Sequence, residues 1–299
     1  MAVECCSDLD LEKGVRGVRF SEYDRSGIGI SRLEITSAEG EKIIGKPIGK
    51  YITLTVGKIW LSDDETRRRA VNAFASELRG LAEELCPKID SVLVAGLGNR
   101  YITSDSIGSL AVKNVTVTRH IRDCDRALFD RICDSSVAAV APGVVGQTGI
   151  ETVELIRGAS ETVAPSLVVV IDALAAKSTE RLAVTVQLSD TGIAPGSGIG
   201  NKRLSVDKST VGFPVISVGV PTVVNSSTLI CDFLERAGFD IPDALADELE
   251  REKGFFVTLK DADAACSEMA SLIAEGIDIA FGKNPPKTKK APAERGKTG

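Results

Sequence analysis

The chain has 299 residues, of which 43% are hydrophobic and 26% are charged, and this composition excludes disorder over most of its length. The net charge of −6 is unevenly placed, because the Pro/Lys-rich segment 283–299 carries a net +5 and leaves −11 for the rest. We predict one domain over residues 1–282 and a disordered basic tail over 283–299. An acidic body argues against direct nucleic-acid binding.

Other protein classes are excluded by what the chain lacks. No stretch approaches the ~20 apolar residues of a membrane-spanning helix, and the start has no apolar secretory core. Seven cysteines without a C-x-x-C pair and a single histidine, His120, argue against a disulfide framework and a metal centre. We therefore expect a cytoplasmic protein without a metal or another cofactor.

The first 63 residues are expected to form a β-rich subregion. Residues 16–20 and 28–35 alternate between apolar and polar side chains, and 51–56 is rich in β-branched residues, so we predict hairpins. Asp63-Asp-Glu-Thr then begins a long amphipathic helix, because acidic residues suit the first turn of a helix. That helix is predicted to end near Leu85, before Pro87.

The remainder alternates short apolar strands with helical segments. Continuous apolar strands of this kind are typical of a mostly parallel sheet that helices cover on both faces. The strands are expected at 91–95, 137–140, 167–171, 182–188 and 215–218. The helices are expected at 105–112, 150–158, 226–236, 242–253 and 261–281.

Two aspartates follow predicted strands, where open α/β sheets place their binding sites. Asp172 directly follows Leu-Val-Val-Val-Ile, and Asp105 lies in the loop after 91–95. If they meet at one rim of the sheet, one can act as general base on water and the other as general acid. The alternative is structural, since either aspartate could instead cap the N-terminus of a following helix.

Glycine clusters lie on the same predicted rim. Gly96-Leu-Gly98-Asn99 lacks the third glycine of a dinucleotide-binding fingerprint. Residues 195–203, glycine-rich and then basic, could bind an anion, close a tight turn or pair with an extended peptide. Asp190-Thr-Gly192 spells the pepsin-type tripeptide once, which is weak evidence by itself.

Five blocks around these residues closely resemble the germination (spore) proteases of endospore-forming bacteria. They are VAGLGN with TSDSIG, TRH, APGVVGQTGIET, IDALAAKS and SDTGIAPGSGIGNKR, at 94–108, 118–120, 141–152, 171–178 and 189–203. Residues 218–224 and 256–263 also fit. The resemblance runs from about Ala2 to Phe281, and such long blocks in the same order are specific.

The resemblance implies a three-layer α/β/α sandwich like that of the hydrogenase-maturation endopeptidases. It implies an atypical aspartic endopeptidase that degrades small acid-soluble, DNA-coating spore proteins at germination, with Asp105 and Asp172 as the catalytic pair. It further implies a homotetramer in the spore core, made as a zymogen. This chain departs from the family pattern at Met1-Ala-Val-Glu4, near the mature terminus, and in a shorter region between Val224 and Phe255.

Substrate binding is expected on the glycine-rich loops, with the basic residues recognising an acidic side chain near the cleaved bond. The predicted residues are Gly96, Gly98, Asn99, Gly143, Gly146, Thr148, Gly196, Gly198, Asn201, Lys202 and Arg203. Two alternatives stay open: a hydrogenase-maturation-type peptidase, and an inactive relative that binds spore proteins.

Overall fold

The computed structural model describes residues 2–3, 16–196, 203–251 and 255–282, and these form a mixed β-sheet between two layers of helices. The predicted tail, 283–299, lies outside the described residues. The strands are β1 Ala2–Val3, β2 Val18–Arg25, β3 Ile28–Ile35, β4 Gly49–Thr55, β5 Ser91–Gly96, β6 Ser136–Val140, β7 Leu167–Ala176, β8 Thr185–Ser189, β9 Val215–Asn225 and β10 Phe256–Val257. The helices are α1 Ala38–Ile44, α2 Asp64–Leu85, α3 Ile107–Asn114, α4 Arg119–Cys124, α5 Arg126–Ile132, α6 Val145–Thr148, α7 Thr152–Val163, α8 Lys208–Val211, α9 Ser226–Arg236, α10 Asp243–Arg251 and α11 Ala262–Phe281.

The sheet has the strand order β2-β3-β4-β8-β9-β7-β5-β6. The strands from β9 to β6 in this order are parallel, and those from β2 to β9 are antiparallel. The α/β sandwich is confirmed, but the sheet is mixed rather than mostly parallel. The reason is that the N-terminal hairpins continue the same sheet, through pairing of β4 with β8.

Helices cover both faces of the parallel strands, as their continuous apolar sequences predict. On one face α2, α3 and α11 pack over alternate residues of β5, β7 and β9. On the other face α7 and the short α8 pack over the intervening residues. Strand β7 is buried along its whole length, so it lies at the centre of the molecule.

The long helix α2 begins where the sequence predicts. The Asp63 carboxylate accepts the N–H of Thr66 at 2.7 Å, as an N-cap residue does. Its buried face carries one charged residue, Glu77, whose side chain is fully buried. Glu77 forms ion pairs with Arg25 and Arg32, so it joins the N-terminal hairpin to the helical layer.

Two strands are longer than their apolar cores suggest. β7 continues past Ile171 to Ala176, and β9 continues past Val218 to Asn225. The short helices α1, α4, α5, α6 and α8 were not predicted, because they span only one or two turns. No helix among the described residues is long and apolar enough to cross a membrane.

Candidate active site

A cleft of about 180 Å³ opens at the carboxyl end of β5 and along β7. Its walls come from the loops after β5, β6 and β8, and Asp172 of β7 lies within it. Both predicted aspartates and Arg203 line this one cleft. The lining residues are Leu97, Gly98, Ile102, Asp105, Gly143, Val144, Thr152, Asp172, Pro195, Gly196 and Arg203.

Asp105 ends a 3₁₀ turn, Thr103–Asp105, in the loop between β5 and α3. Its Oδ2 accepts the backbone N–H of Asn99 at 2.7 Å. The preceding loop is tight, since Gly98 has φ +91° and a Cβ there would lie 2.0 Å from the Asp105 carbonyl oxygen. The helix-capping alternative is wrong for Asp105, because Ser106 is the N-cap residue of α3 and the Asp105 carboxylate turns back to the loop.

Two neighbouring elements hold this 3₁₀ turn in place. The Thr103 hydroxyl donates to the Asp263 carboxylate of α11 at 2.7 Å. The Thr222 hydroxyl of β9 donates to the Ser104 carbonyl at 2.5 Å. Asp105 is therefore fixed from both the helical layer and the sheet.

Asp172 lies inside β7, in register with Ile171 and Ala173 of the same strand on either side and with Gly219 of β9 opposite. Only 1% of its surface is exposed. The helix-capping alternative is wrong here too, since Ala-Leu-Ala-Ala continues the strand to Ala176. A strand position fixes the carboxyl more rigidly than a loop does.

The two carboxyl groups differ in their electrostatic surroundings. Burial raises the pKa of Asp105, and the Asn99 N–H and the charge of Arg203 oppose that increase. Burial, together with the negative charge of Asp105, raises the pKa of Asp172 to about 7. The pair can thus hold one proton near neutral pH, the arrangement in which one carboxyl is a base and the other an acid.

The other predicted site residues divide into three groups. Gly98, Gly143, Gly196 and Arg203 line the cleft, and Asn99 holds Asp105. Gly96, Gly146 and Thr148 are not among the lining residues; at Gly96 a Cβ would lie 2.0 Å from the Gly108 carbonyl oxygen, so this glycine lets α3 approach β5. Gly198, Asn201 and Lys202 lie outside the described residues.

Sequence reasoning missed the apolar walls of the cleft and one hydrogen bond. Leu97, Ile102, Val144 and Pro195 line the cleft beside residues that were predicted. The Gln147 side chain donates to Asn99 Oδ1 at 3.0 Å and joins two of the loops. The rule that sites follow strand ends marks these loops, but it does not show which side chains point inward.

Three other features lie apart from the cleft. Asp190 of the lone Asp-Thr-Gly accepts the backbone N–H of Lys50 at 2.7 Å. His120 is exposed on α4. Among the residues that the structure describes, no group of three or more His, Cys, Asp or Glu side chains is placed to hold a metal ion.

Comparisons with known proteins were made over the sequence and over the fold. The germination protease family model matches residues 2–237. A germination protease of Caldanaerobacter subterraneus subsp. tengcongensis is 40% identical over 90% of this chain and 80% of its own. One of Clostridium perfringens is 36% identical over 90% of each chain.

Among solved structures, the [NiFe] hydrogenase maturation protease HycI of Thermococcus kodakarensis matches 66% of this chain and 99% of its own. That match has 16% identity and a TM-score of 0.37. The family match and the sequence relatives cover the loops that carry Asp105 and Asp172. The chain belongs to the germination protease family, and its activity is that of a protease.

Proposed function

We propose that this protein is an endopeptidase that cleaves small acid-soluble spore proteins at germination by an aspartic mechanism. The observation that carries the proposal is the cleft itself. Asp105 and Asp172 arrive there from different strands, and the charge of the first raises the pKa of the second. The substrate class follows from the family resemblance.

The environments assign the two roles. Asp105 accepts an N–H bond and lies near the positive charge of Arg203, which favour its ionised form. Asp172 is enclosed in β7 and keeps its proton up to about pH 7. Asp105 is therefore the general base and Asp172 the general acid.

The proposed reaction balances with these two groups and one water. Asp105 takes a proton from the water as its oxygen bonds to the peptide carbonyl carbon, and Asp172 donates its proton to the carbonyl oxygen. Collapse of the tetrahedral intermediate breaks the C–N bond, and the amine leaves with the proton that Asp105 received. Asp172 then recovers its own proton from the re-forming carboxyl product.

The glycine-containing loops would bind the substrate as an extended chain. Gly143 and Gly196 line the cleft without side chains, so a peptide backbone can approach them closely. Arg203 would meet an acidic side chain near the cleaved bond. A homotetramer, zymogen processing and a place in the spore core belong to the same proposal through the resemblance.

The test is digestion of a purified small acid-soluble spore protein near neutral pH, with product masses read by mass spectrometry. We expect a few discrete fragments from the wild type and none from Asp105→Asn or Asp172→Asn. Asp278→Asn is the control, because Asp278 is a half-buried carboxyl with a raised pKa outside the cleft. Binding of the substrate without cleavage by the wild type would instead support the inactive binding module.

A hydrogenase-maturation-type peptidase makes a different prediction in the same assay. It would leave the spore protein intact and act on a metal-loaded hydrogenase precursor. Cleavage of the spore protein by either folded aspartate variant would overturn the aspartic mechanism. Far-ultraviolet circular dichroism of each variant establishes that it is folded.

A further inference from the structure

A second pocket, of about 150 Å³, lies beside the aspartate cleft and has a different chemistry. The loop that follows β8 covers both: residues 191–194 and 205 line the pocket, whereas Pro195, Gly196 and Arg203 line the cleft. The side chain of Leu174, two residues beyond Asp172 in β7, lies between them. The proposed mechanism does not use this pocket.

Strand register places the pocket on the same face of the sheet as Asp172. Asp172 is opposite Gly219 of β9, and Gly219 is opposite Gln187 of β8. In the neighbouring row, Ser217 is opposite Ser189, and Ser189 is opposite Tyr51. Paired residues present their side chains on one face, so a continuous floor runs from the catalytic carboxyl into the pocket.

The floor is low because of a glycine. A Cβ at Gly219 would lie 2.4 Å from Leu174 Cδ1, so the Leu174 side chain occupies the space above this position. Strands are about 5 Å apart, which puts the pocket about 5–10 Å from Asp172. An extended peptide rises about 3.3 Å per residue, so the pocket is two or three residues from a bond held at the aspartates.

The polar groups of the pocket define what it can bind. The Ser189 and Thr191 hydroxyls are 2.8 Å apart, Thr191 donates to the Tyr51 hydroxyl at 3.2 Å, and Tyr51 donates to the Pro47 carbonyl at 2.8 Å. This chain uses its own protons internally. Lys46 is the one charged residue among the residues that line the pocket, and with the Ser205 hydroxyl it supplies hydrogen-bond donors.

We propose that this pocket is a specificity subsite that binds one carboxylate-bearing side chain of the substrate, two or three residues from the cleaved bond. The inference rests on the proposed protease function. Lys46 pairs with the carboxylate, and the Ser205 hydroxyl donates a hydrogen bond to it. The pocket thereby sets the register of the peptide over the aspartates.

Cleavage profiling tests the subsite. A mixture of peptides of known sequence is digested, and the cut sites are read by mass spectrometry for the wild type, Lys46→Met and Lys42→Met. Lys42 is the matched control, because it is an exposed lysine on α1 outside the pocket. We expect the wild type and Lys42→Met to favour Asp or Glu at one position, and Lys46→Met to lose that preference.

A matched pair of peptides with Glu or Gln at that position makes the test quantitative. For the wild type we expect kcat/KM for the Glu peptide to exceed that for the Gln peptide about tenfold, mainly through KM. For Lys46→Met the two values should be equal, and for Lys46→Glu a Lys peptide should become the better substrate. A preference that survives in folded Lys46→Met overturns the subsite.

A binding measurement separates this proposal from the proposed function. Asp172→Asn is expected to bind peptides without cleaving them, and fluorescence anisotropy compares its affinity for the Glu and Gln peptides with and without Lys46→Met. Tighter binding of the Glu peptide that needs Lys46 supports the subsite even if the wild type cleaves nothing. Equal binding of the two peptides refutes the subsite, whatever the outcome of the digestion.

Discussion

The buried carboxyl of Asp172 predicts that an inactivating substitution stabilises the protein. Its pKa is raised from 3.8 to about 7 in the folded state. Below about pH 4 the group is protonated in both the folded and the unfolded chain and has no effect on the free energy of unfolding. Between about pH 4 and 7 the unfolded chain releases the proton and the folded chain keeps it, so stability falls as pH rises.

The size of the effect follows from the shift. Each pKa unit corresponds to about 1.4 kcal/mol, so the change to about 7 costs up to roughly 4 kcal/mol at pH 8. Asp172→Asn keeps the shape and removes the ionisation. We therefore expect Asp172→Asn to unfold at a higher urea concentration than the wild type at pH 8, and the two proteins to unfold at similar concentrations near pH 4.

Urea unfolding followed by circular dichroism at a series of pH values between 4 and 8 measures this difference. Asp123→Asn is the control, since Asp123 is exposed on α4 and its removal should leave the pH dependence intact. Asp105, Asp190 and Asp278 also have raised pKa values and keep part of the slope in every variant. An Asp172→Asn curve parallel to that of the wild type, without added stability at pH 8, would refute the assigned burial cost.

Three further predictions concern the same molecule. Replacing Glu77 by Gln should lower the free energy of unfolding by about 3 kcal/mol in urea titrations, because it removes a buried charge between two arginines, whereas exposed Glu83→Gln should change it little. Gly98→Ala should reduce kcat at least tenfold, because it pushes against the Asp105 backbone, and Gly146→Ala, which meets nothing within 4 Å, should not. The kcat/KM profile should fall as pH rises above about 7, when Asp172 loses the proton that it donates; a profile flat to pH 9 would contradict its role as the acid.

Local sequence was sufficient for the elements that form the core. The apolar run 167–171 and the acidic start of α2 predict their elements because burial on two faces and N-capping leave direct marks in sequence. It was not sufficient where pairing partners are distant. The union of the hairpins with the parallel strands depends on β4 meeting β8, whose residues are more than a hundred positions apart.

The two aspartates show the same division. Their position after apolar strands brought both under suspicion, but it allowed helix capping equally well. Asp172 was placed at a strand end, whereas the strand runs on to Ala176 with smaller residues that read as helical. Only the pairing of β7 with β9 decides this, because Ala173 to Ala176 are held by Val220 to Val224 across the sheet.

The placement of the pair explains how one scaffold can hold chemistry and selectivity apart. Asp172 is fixed by the central strand, and Asp105 by a turn that is anchored to both α11 and β9. The wall opposite them is the loop after β8, which covers the cleft at Gly196 and Arg203 and the polar pocket at Thr191. Substitutions in that loop can therefore alter which peptide is held while the carboxyl groups stay in register, because no residue of the loop donates a hydrogen bond to either aspartate among those that the structure describes and assigns to them. Substitutions in β7 or the 3₁₀ turn should act on turnover for every peptide alike, and that contrast is measurable as a change in the ratio of two substrates against a change in both.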